Sequence, residues 1–256
     1  MKRFEDKVVV VTGTSSGLGR CTAKMFTEEG AKVVGMARRE ELMKELQAEI
    51  SSEGGTFEFC VGDITEANVP KEVIDYTIDK FGKIDILVNN AGADDYTRFV
   101  LDTTDDFWDY IIALNLTAPF RITREALEHM VHQESGGNIV NVGSIAGLRG
   151  VVGGASYTAA KHGLVGLTKN VARAYVNQNI RCNIVCPAGM KTRLCTAEHF
   201  TKSPPENKAL SRAACAASVR VMEPEEVARV ILFLASDDAK GVNGAIVSTD
   251  GGFAAS

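Results

Sequence analysis

Tyr157 and Lys161 lie four residues apart in the segment ASYTAAKHG (155–163), and this pair of side chains could move a proton. Residues four apart share one face of a helix, so Lys161 can lie beside Tyr157. A free tyrosine has a pKa of about 10, which is too high for an efficient base at neutral pH, but a nearby cation favours the phenolate. The same spacing fits a half-buried tyrosine beside a solvated lysine, so the rest of the chain has to decide between the two interpretations.

A second candidate feature is the glycine-rich segment TGTSSGLG (12–19), which follows the apolar run KVVVVTG (7–13). Glycines permit a tight turn and let the backbone approach a pyrophosphate, which the positive end of a following helix stabilises. An ordinary strand-to-helix connection is the alternative for this segment taken alone. With a strand before it and a helix after it, the segment favours nucleotide binding.

The elements that must position these residues alternate along the chain. The strand candidates are KVVVVTG (7–13), AKVVGMA (31–37), TFEFCVG (56–62), KIDILVNN (83–90), GNIVNVG (137–143), IRCNIVC (180–186) and GAIVSTD (244–250). Helical periodicity occupies 18–29, 39–51, 66–80, 103–131, 156–178 and 224–235. Repeated β–α order predicts an α/β fold, a single Rossmann-type domain over 1–256 with a doubly wound parallel sheet of about seven strands and helices on both faces.

Composition excludes several classes of protein. The 256 residues are 45% hydrophobic with a net charge of -5, which suits a sizeable core and gives no support to nucleic-acid binding. No apolar stretch approaches the roughly 20 residues of a membrane span, and no signal peptide is evident. The six cysteines form no Cys-x-x-Cys pair, so we expect reduced thiols, no metal site and a cytoplasmic protein whose partner is a small molecule.

The order of the motifs resembles the short-chain dehydrogenase/reductase family over essentially the whole chain. The matching pieces are Thr12-Gly13-x-x-x-Gly17-x-Gly19, Asp63 after the third strand, NNAG (89–92) after the fourth, Asn115, Ser144 after the fifth, Tyr157-x-x-x-Lys161, and CPAGMKT (186–192) after the sixth. Taken singly, each piece has a plain explanation as a turn, a cap or a helix residue. In an open α/β sheet, however, they converge on the carboxyl ends of the strands, where ligands bind.

The resemblance implies a role for each residue. Tyr157 is the general acid/base, Lys161 lowers its pKa and binds the nicotinamide ribose, Ser144 hydrogen-bonds the substrate oxygen, and Asn115 holds a water that links Lys161 to solvent. The implied cofactor-binding residues are Gly13, Ser15, Ser16, Gly17, Leu18, Gly19, Arg38, Arg39, Asp63, Ile64, Asn89, Ala91, Gly92, Tyr157, Lys161, Pro187, Met190 and Thr192. One position departs from the family: where Pro-Gly is usual, this chain reads Pro187-Ala188-Gly189, so Ala188 has to adopt a backbone conformation that glycine takes easily, and we expect a modest local adjustment.

The end of the second strand bears on the choice of nicotinamide cofactor. Ala37 occupies the position where an acidic residue would bind the ribose hydroxyls, and Arg38 and Arg39 follow it. By resemblance this pattern predicts a preference for NADP(H), resting mainly on Arg38, because a guanidinium pairs well with a phosphate. The alternative is that both arginines open a solvated helix. Ser16 stands where some relatives carry a second basic residue, so use of NAD(H) stays open.

The substrate is the least determined part of the prediction. We expect an enzyme that interconverts a secondary alcohol and a ketone, with a bulky apolar substrate such as a hydroxysteroid or bile acid. The pocket walls are expected at 93–98, at 145–153 and at 193–220, the last within an irregular lid at 190–222 that contributes Leu194, Phe200 and Leu210. Arg149 or Arg193 is a candidate partner for an acidic tail on the substrate, and the alternative is that each is a solvated surface arginine. The alternatives are a reductase of 3-oxoacyl, sugar or polyol compounds, an epimerase or dehydratase, and a catalytically silent nucleotide-binding protein. By resemblance the chain forms a homodimer or homotetramer.

Overall fold

The computed structural model describes residues 2–192, 202–216 and 220–255 of the chain. Seven strands form one parallel sheet in the order β3-β2-β1-β4-β5-β6-β7. Their bounds are β1 Val8–Thr12, β2 Lys32–Ala37, β3 Thr56–Val61, β4 Ile86–Asn89, β5 Gly137–Val142, β6 Ile180–Pro187 and β7 Ile246–Thr249. The predicted Rossmann-type doubly wound sheet is therefore confirmed.

Helices cover both faces of this sheet. They are α1 Gly17–Glu28, α2 Glu40–Ser52, α3 Val69–Phe81, α4 Asp105–Ile112, α5 Ala118–Met130, α6 Ala155–Ala174, α7 Pro205–Ala214 and α8 Pro224–Ala235. The buried apolar side chains separate into two main layers. One layer joins the sheet to α1, α2 and α8, and the other joins it to α3, α5 and α6. Burial on both faces explains why the strands read as continuous apolar runs.

The strand order places a binding crevice at a defined point. β1 pairs with β2 on one side and with β4 on the other, so consecutive connections leave the β1 neighbourhood in opposite directions. In open α/β sheets the ligand crevice lies at such a switch point, outside the carboxyl ends of the strands. The segments that follow β1, β4 and β5 therefore meet at one edge of the sheet.

The long helix predicted over 103–131 is interrupted. A π-helical turn, Ala113–Thr117, separates α4 from α5, and Asn115 stands at its centre. π-Turns inside helices occur frequently at functional sites. The segment 190–222 was expected to be irregular, but it contains helix α7, which the hydrophobic periodicity of the sequence did not indicate.

Two further observations concern membrane-spanning helices and the residues that the structure does not describe. Among the residues that the structure describes, no helix combines the length and the apolar character that crossing a membrane requires. Cys195, together with Arg193, Leu194 and Phe200 of the expected substrate pocket, lies outside the described residues.

Candidate active site

A cavity of about 1140 Å³ opens at the carboxyl ends of the strands. Ligand pockets are usually about 300–1,000 Å³, so this volume can hold a dinucleotide and a second molecule. All four predicted catalytic residues line it, namely Asn115, Ser144, Tyr157 and Lys161. The predicted cofactor residues that line it are Gly13, Ser15, Ser16, Gly17, Leu18, Gly19, Arg38, Arg39, Asp63, Ile64, Ala91, Gly92, Pro187, Met190 and Thr192.

The glycine-rich turn is closed so tightly that side chains are excluded from it. Gly13 and Gly17 have positive φ angles of 79° and 56°. A Cβ on Gly19 would lie 2.4 Å from the carbonyl oxygen of Gly13 and 2.4 Å from Nδ2 of Asn90. These glycines thus bring bare backbone and the start of α1 to the cavity, which is the arrangement that a pyrophosphate group requires.

Asn89 is placed differently from the prediction. It is the last residue of β4, it is buried, and its amide donates to Asn141 Oδ1 at 2.8 Å and to Thr123 Oγ1 at 3.0 Å. Asn90, one residue further, lines the cavity and ties the loop to β1 by donating to the Thr12 carbonyl at 2.8 Å. Because Asn89 still belongs to the strand, its side chain packs in the sheet layer, and Asn90 is the first residue free of that constraint.

The two arginines after β2 have different partners. Arg39 donates through Nη2 to Ser15 Oγ and to Ser16 Oγ, both at 2.8 Å, so its guanidinium lies across the glycine-rich turn. Arg38 is 65% exposed and its Nη1 lies 3.4 Å from Asp63 Oδ2. Burial acts to raise the pKa of Asp63, but hydrogen bonds from Thr65 and the charge of Arg38 outweigh it and leave the pKa below its ordinary value.

Asn115 is fixed by the π-turn and by the loop after β4. Its Nδ2 donates to the carbonyls of Ala93 at 2.9 Å and Ile111 at 3.0 Å. Its Oδ1 is buried and has no hydrogen-bond partner among the described residues. A Cβ on Gly92 would lie 2.8 Å from that oxygen and 3.7 Å from Nζ of Lys161, so glycine at position 92 lets Asn115 lie close to the backbone on the side where Lys161 also lies. A buried oxygen without a protein partner is the kind of group that an ordered water satisfies.

Lys161 is deeply buried beside Tyr157. Its ammonium donates to the Val142 carbonyl at 3.0 Å and lies 5.4 Å from the centre of the Tyr157 ring. Burial lowers the pKa of Lys161 to about 8, although the neighbouring Cys186 opposes this shift. The helical spacing noted in the sequence thus places a cation next to the phenol.

Ser144 and Tyr157 enter the cavity from two elements. Ser144 follows β5 and precedes a 3-10 turn, and its Oγ accepts from the Ala146 backbone N–H at 3.1 Å. Since the oxygen is used as an acceptor there, the hydroxyl proton remains available for donation. Tyr157 lies in the first turn of α6, where Gly153 leaves room for its ring.

The residues that follow β6 form one wall of the cavity. Met190 and Met222 pair through an isolated parallel bridge, and Met222 donates its N–H to the Gly189 carbonyl at 2.9 Å. The side chain of Thr192 lies next to Gly17 of the glycine-rich turn. Ala188, which lies in the segment where the family usually has Pro-Gly, does not have a positive φ angle. The alanine therefore introduces no left-handed backbone strain at this position.

The other residues that line the cavity have mixed chemistry. Apolar walls come from Ile145, Val152, Val221 and Phe253, and polar walls include Asp94, Thr97, Arg212 and Arg220. Sequence reasoning missed Phe253 because nothing in the C-terminal segment indicates that it turns back to the site.

Two of the candidate substrate contacts, Arg149 and Leu210, are not among the residues that line the cavity. Arg149 donates to the Ala254 carbonyl at 2.7 Å and stacks on Phe253, so its guanidinium fixes the C-terminal segment. Leu210 is 51% exposed to solvent.

Comparison with known proteins agrees with this geometry. The family model described as enoyl-(acyl carrier protein) reductase, a short-chain dehydrogenase/reductase model, matches residues 13–254. A 3beta-hydroxysteroid dehydrogenase of Mediterraneibacter gnavus is 39% identical over 268 residues, covering 99% of this chain and 96% of that protein. A 3-oxoacyl-(acyl-carrier-protein) reductase of Thermotoga maritima is 38% identical, covering 98% of each.

Solved structures give the same result. Levodione reductase superposes with a TM-score of 0.91 at 32% identity, covering 99% of this chain and 100% of that one. A variant of actinorhodin polyketide ketoreductase with NADPH has a TM-score of 0.87 at 30% identity, covering 96% and 97%. The chain belongs to the short-chain dehydrogenase/reductase family. It is an NAD(P)-dependent alcohol dehydrogenase or ketone reductase of that family.

Proposed function

We propose that this enzyme interconverts a secondary alcohol and a ketone with a preference for NADP(H), using Tyr157 as general acid/base. The observation that carries the proposal is the convergence of Asn115, Ser144, Tyr157 and Lys161 in the cavity that also contains the glycine-rich turn. The bare backbone around Gly13, Gly17 and Gly19 suits a nicotinamide dinucleotide laid along the strand ends. When bound, that cofactor supplies or accepts the hydride.

The protein residues handle the oxygen and its proton. During reduction the substrate oxygen gains negative charge, and the hydroxyls of Ser144 and Tyr157 are the two donors that stabilise it. Tyr157 then transfers its Oη proton to that oxygen, and the positive charge of Lys161 favours the phenolate that remains. A water bound by Asn115 Oδ1 provides the path by which protons return from solvent. Oxidation of the alcohol runs through the same groups in reverse.

The cofactor preference is supported by the two arginines after β2. Ala37 closes that strand without an acidic side chain, and Arg39 binds the hydroxyls of Ser15 and Ser16, which places its guanidinium between the end of β2 and the glycine-rich turn, where it could also meet a 2′-phosphate. Arg39 therefore supplies the second basic group that the serine at position 16 does not. Arg38 is exposed and paired with Asp63, so it can contact the phosphate from the open side.

Steady-state kinetics with NADPH and NADH on one ketone test this preference. We expect wild-type catalytic efficiency to favour NADPH, the ratio to fall strongly in Arg38→Ala and in Arg39→Ala, and the preference to reverse when Ala37→Asp is combined with Arg38→Ala. Equal or better efficiency of the wild type with NADH would contradict the proposal.

For the substrate we propose a bulky, mostly apolar ketone or alcohol, with a hydroxysteroid or bile acid as the first choice. The support is the apolar wall of Ile145, Val152, Val221 and Phe253, the size of the cavity and the similarity to a 3beta-hydroxysteroid dehydrogenase. Helix α7 would act as part of the lid. The proposed substrate class is tested by measuring specificity constants for neutral steroids, bile acids, 3-oxoacyl thioesters, sugars and short alcohols. Short alcohols or sugars that outperform steroids tenfold would contradict it.

We also propose that the chain is a homodimer or homotetramer assembled through α5 and α6. A groove between these helices is lined by Phe120, Leu127, Leu167 and Tyr175, and the Phe120 ring is 46% exposed. Light scattering should give a multiple of the 27.5 kDa chain mass, and Phe120→Glu should lower it. A monomeric wild type at micromolar concentration would contradict this assembly.

A further inference from the structure

The acidic residue Asp95, in the loop after β4, is buried although it forms no ion pair among the described residues. Only 1% of its surface is exposed. Its carboxylate accepts three hydrogen bonds: Oδ1 from the Gly154 N–H at 2.8 Å, and Oδ2 from the Tyr157 N–H at 2.9 Å and the Ser156 hydroxyl at 3.1 Å. All three donors belong to the start of α6, the helix that carries Tyr157 and Lys161.

These bonds replace an N-cap that the helix itself lacks. The residue preceding α6 is Gly154, which has no side chain with which to cap, and the first turn contains no acidic residue. A helix start leaves backbone N–H groups without partners and carries partial positive charge. Asp95 satisfies the N–H of the cap residue and that of the third helical residue, and it does so from about 60 positions away in the sequence.

The contact between the loop and the start of α6 leaves no room for a side chain at Gly154. A Cβ on Gly154 would lie 2.5 Å from Asp95 Oδ2 and 2.3 Å from the Arg98 carbonyl oxygen. That carbonyl also accepts the Ala155 N–H at 2.8 Å. The backbone of Gly154 is extended, with φ of -79°, so glycine is needed at this position for space and not for conformation.

The loop itself is held rigidly. Tyr96 and Thr97 both have left-handed φ angles, 55° and 54°, which is unfavourable for residues with a Cβ and persists only where surroundings impose it. Asn207 of α7 donates to the Thr97 carbonyl at 3.0 Å and to Asp102 Oδ2 at 2.7 Å. The Tyr96 ring stacks against Phe107 of α4, with centroids 6.1 Å apart. These contacts therefore fix the position of the loop that carries the Asp95 carboxylate.

We propose that Asp95 is a positioning residue for the reaction: it fixes the first turn of α6 and thereby holds the Tyr157 hydroxyl at the reacting oxygen. Proton transfer requires the donor within hydrogen-bond reach of the substrate, and a misplacement of about 1 Å can cost about a hundredfold in rate. The inference rests on the proposed role of Tyr157. It adds that turnover depends on a buried carboxylate that does not touch the substrate.

The test is Asp95→Asn, which keeps the size of the side chain but replaces one acceptor oxygen with an amide donor that faces a backbone N–H. Turnover is measured with a ketone that the wild type reduces and is expressed per cofactor site, with the sites counted by titration with NADPH. We expect kcat to fall about 10- to 100-fold, with the ketone KM and the NADPH Kd within twofold of wild type. The solvent deuterium isotope effect on kcat should rise, because proton transfer becomes slower.

Asp85→Asn is the matched control. Asp85 lies just before β4, is 6% exposed and accepts the Val8 N–H at 2.8 Å. It lies at the amino ends of the strands, whereas the cavity lies at their carboxyl ends. We expect it to lower the melting temperature while kcat per site and the isotope effect stay at wild-type values. An equal fall in kcat in both variants would show a general structural effect and overturn the proposal, as would wild-type kcat in Asp95→Asn.

If Asp95→Asn fails to bind NADPH at one site per chain, Ser156→Ala decides. This change removes one of the two donors to Oδ2 and keeps the carboxylate, so kcat should fall two- to fivefold with KM unchanged. Wild-type kcat in Ser156→Ala would then overturn the proposal. Wild-type turnover itself tests the proposed function, whereas the ratio of variant to wild type tests the role of Asp95, so the two failures are distinguishable.

Discussion

Replacing Lys161 with methionine should abolish turnover and at the same time stabilise the ligand-free protein at neutral pH. Lys161 is 4% exposed, and burial lowers the pKa of its ammonium from 10.5 to about 8. Each tenfold change in proton affinity corresponds to 1.36 kcal/mol, so the charged side chain opposes folding by roughly 3 kcal/mol. Methionine has a similar length and no charge, but it loses the hydrogen bond to the Val142 carbonyl, worth about 1 kcal/mol.

The net gain in the free energy of unfolding should therefore be about 2 kcal/mol at pH 7, or a rise in Tm of roughly 4–8 °C for a chain of this size. The sign follows from linkage. The folded-state pKa lies below the unfolded-state value, so the penalty is fully present below pH 8 and disappears as the pH rises from about 8 to 10.5. The stability difference between the variant and wild type should shrink over that interval.

Thermal and urea unfolding at pH 7, 8, 9 and 10 measure this difference. Lys169→Met is the control, because Lys169 is exposed on the same helix and should change stability by less than about 0.5 kcal/mol. Equal or lower stability of Lys161→Met at pH 7, or a difference that does not vary with pH, would refute the reasoning that burial depresses the pKa of Lys161.

Two other substitutions probe the cofactor turn and the lid. Gly19→Ala should abolish tight NADPH binding, because its Cβ would lie 2.4 Å from the Gly13 carbonyl oxygen; a fluorescence titration with a Kd within threefold of wild type would contradict this. Asn207→Ala removes two hydrogen bonds between α7 and the loop after β4, together worth about 2 kcal/mol, so the ketone KM should rise by up to about thirtyfold while the NADPH Kd stays constant. An unchanged ketone KM would show that α7 is not part of the lid.

The sheet could be predicted from the sequence because the five strands between the edge strands β3 and β7 are buried on both faces and therefore read as short apolar runs. The carboxyl ends of parallel strands meet at one edge, so motifs that follow strands had to converge there. The positions of Ser144, Tyr157 and Lys161 in one cavity follow from that rule. Helical spacing alone was sufficient to place Lys161 beside Tyr157.

The remaining features depend on contacts that spacing does not encode. The π-turn that divides the helix predicted over 103–131 is accompanied by hydrogen bonds from Asn115 to Ala93 and Ile111, and the former lies 22 residues away. Asn89 and Asn90 are adjacent and chemically identical, and only the end of β4 decides which of them faces the cavity. Arg39 reaches Ser16 because α2 starts at Glu40, a boundary that periodicity places only approximately.

The most direct test of the central claim is ketone-dependent NADPH oxidation by wild type and by Tyr157→Phe, followed by absorbance. The variant keeps the ring and loses the only proton of that side chain that can be donated. We predict that wild type turns over a bulky ketone, and that Tyr157→Phe keeps its NADPH affinity and melting temperature while kcat falls by about 10²–10⁴-fold or more. A variant that retains more than about a tenth of wild-type kcat, with hydride transfer shown to be rate-limiting by a deuterated cofactor, would contradict the assignment of Tyr157 as the general acid/base.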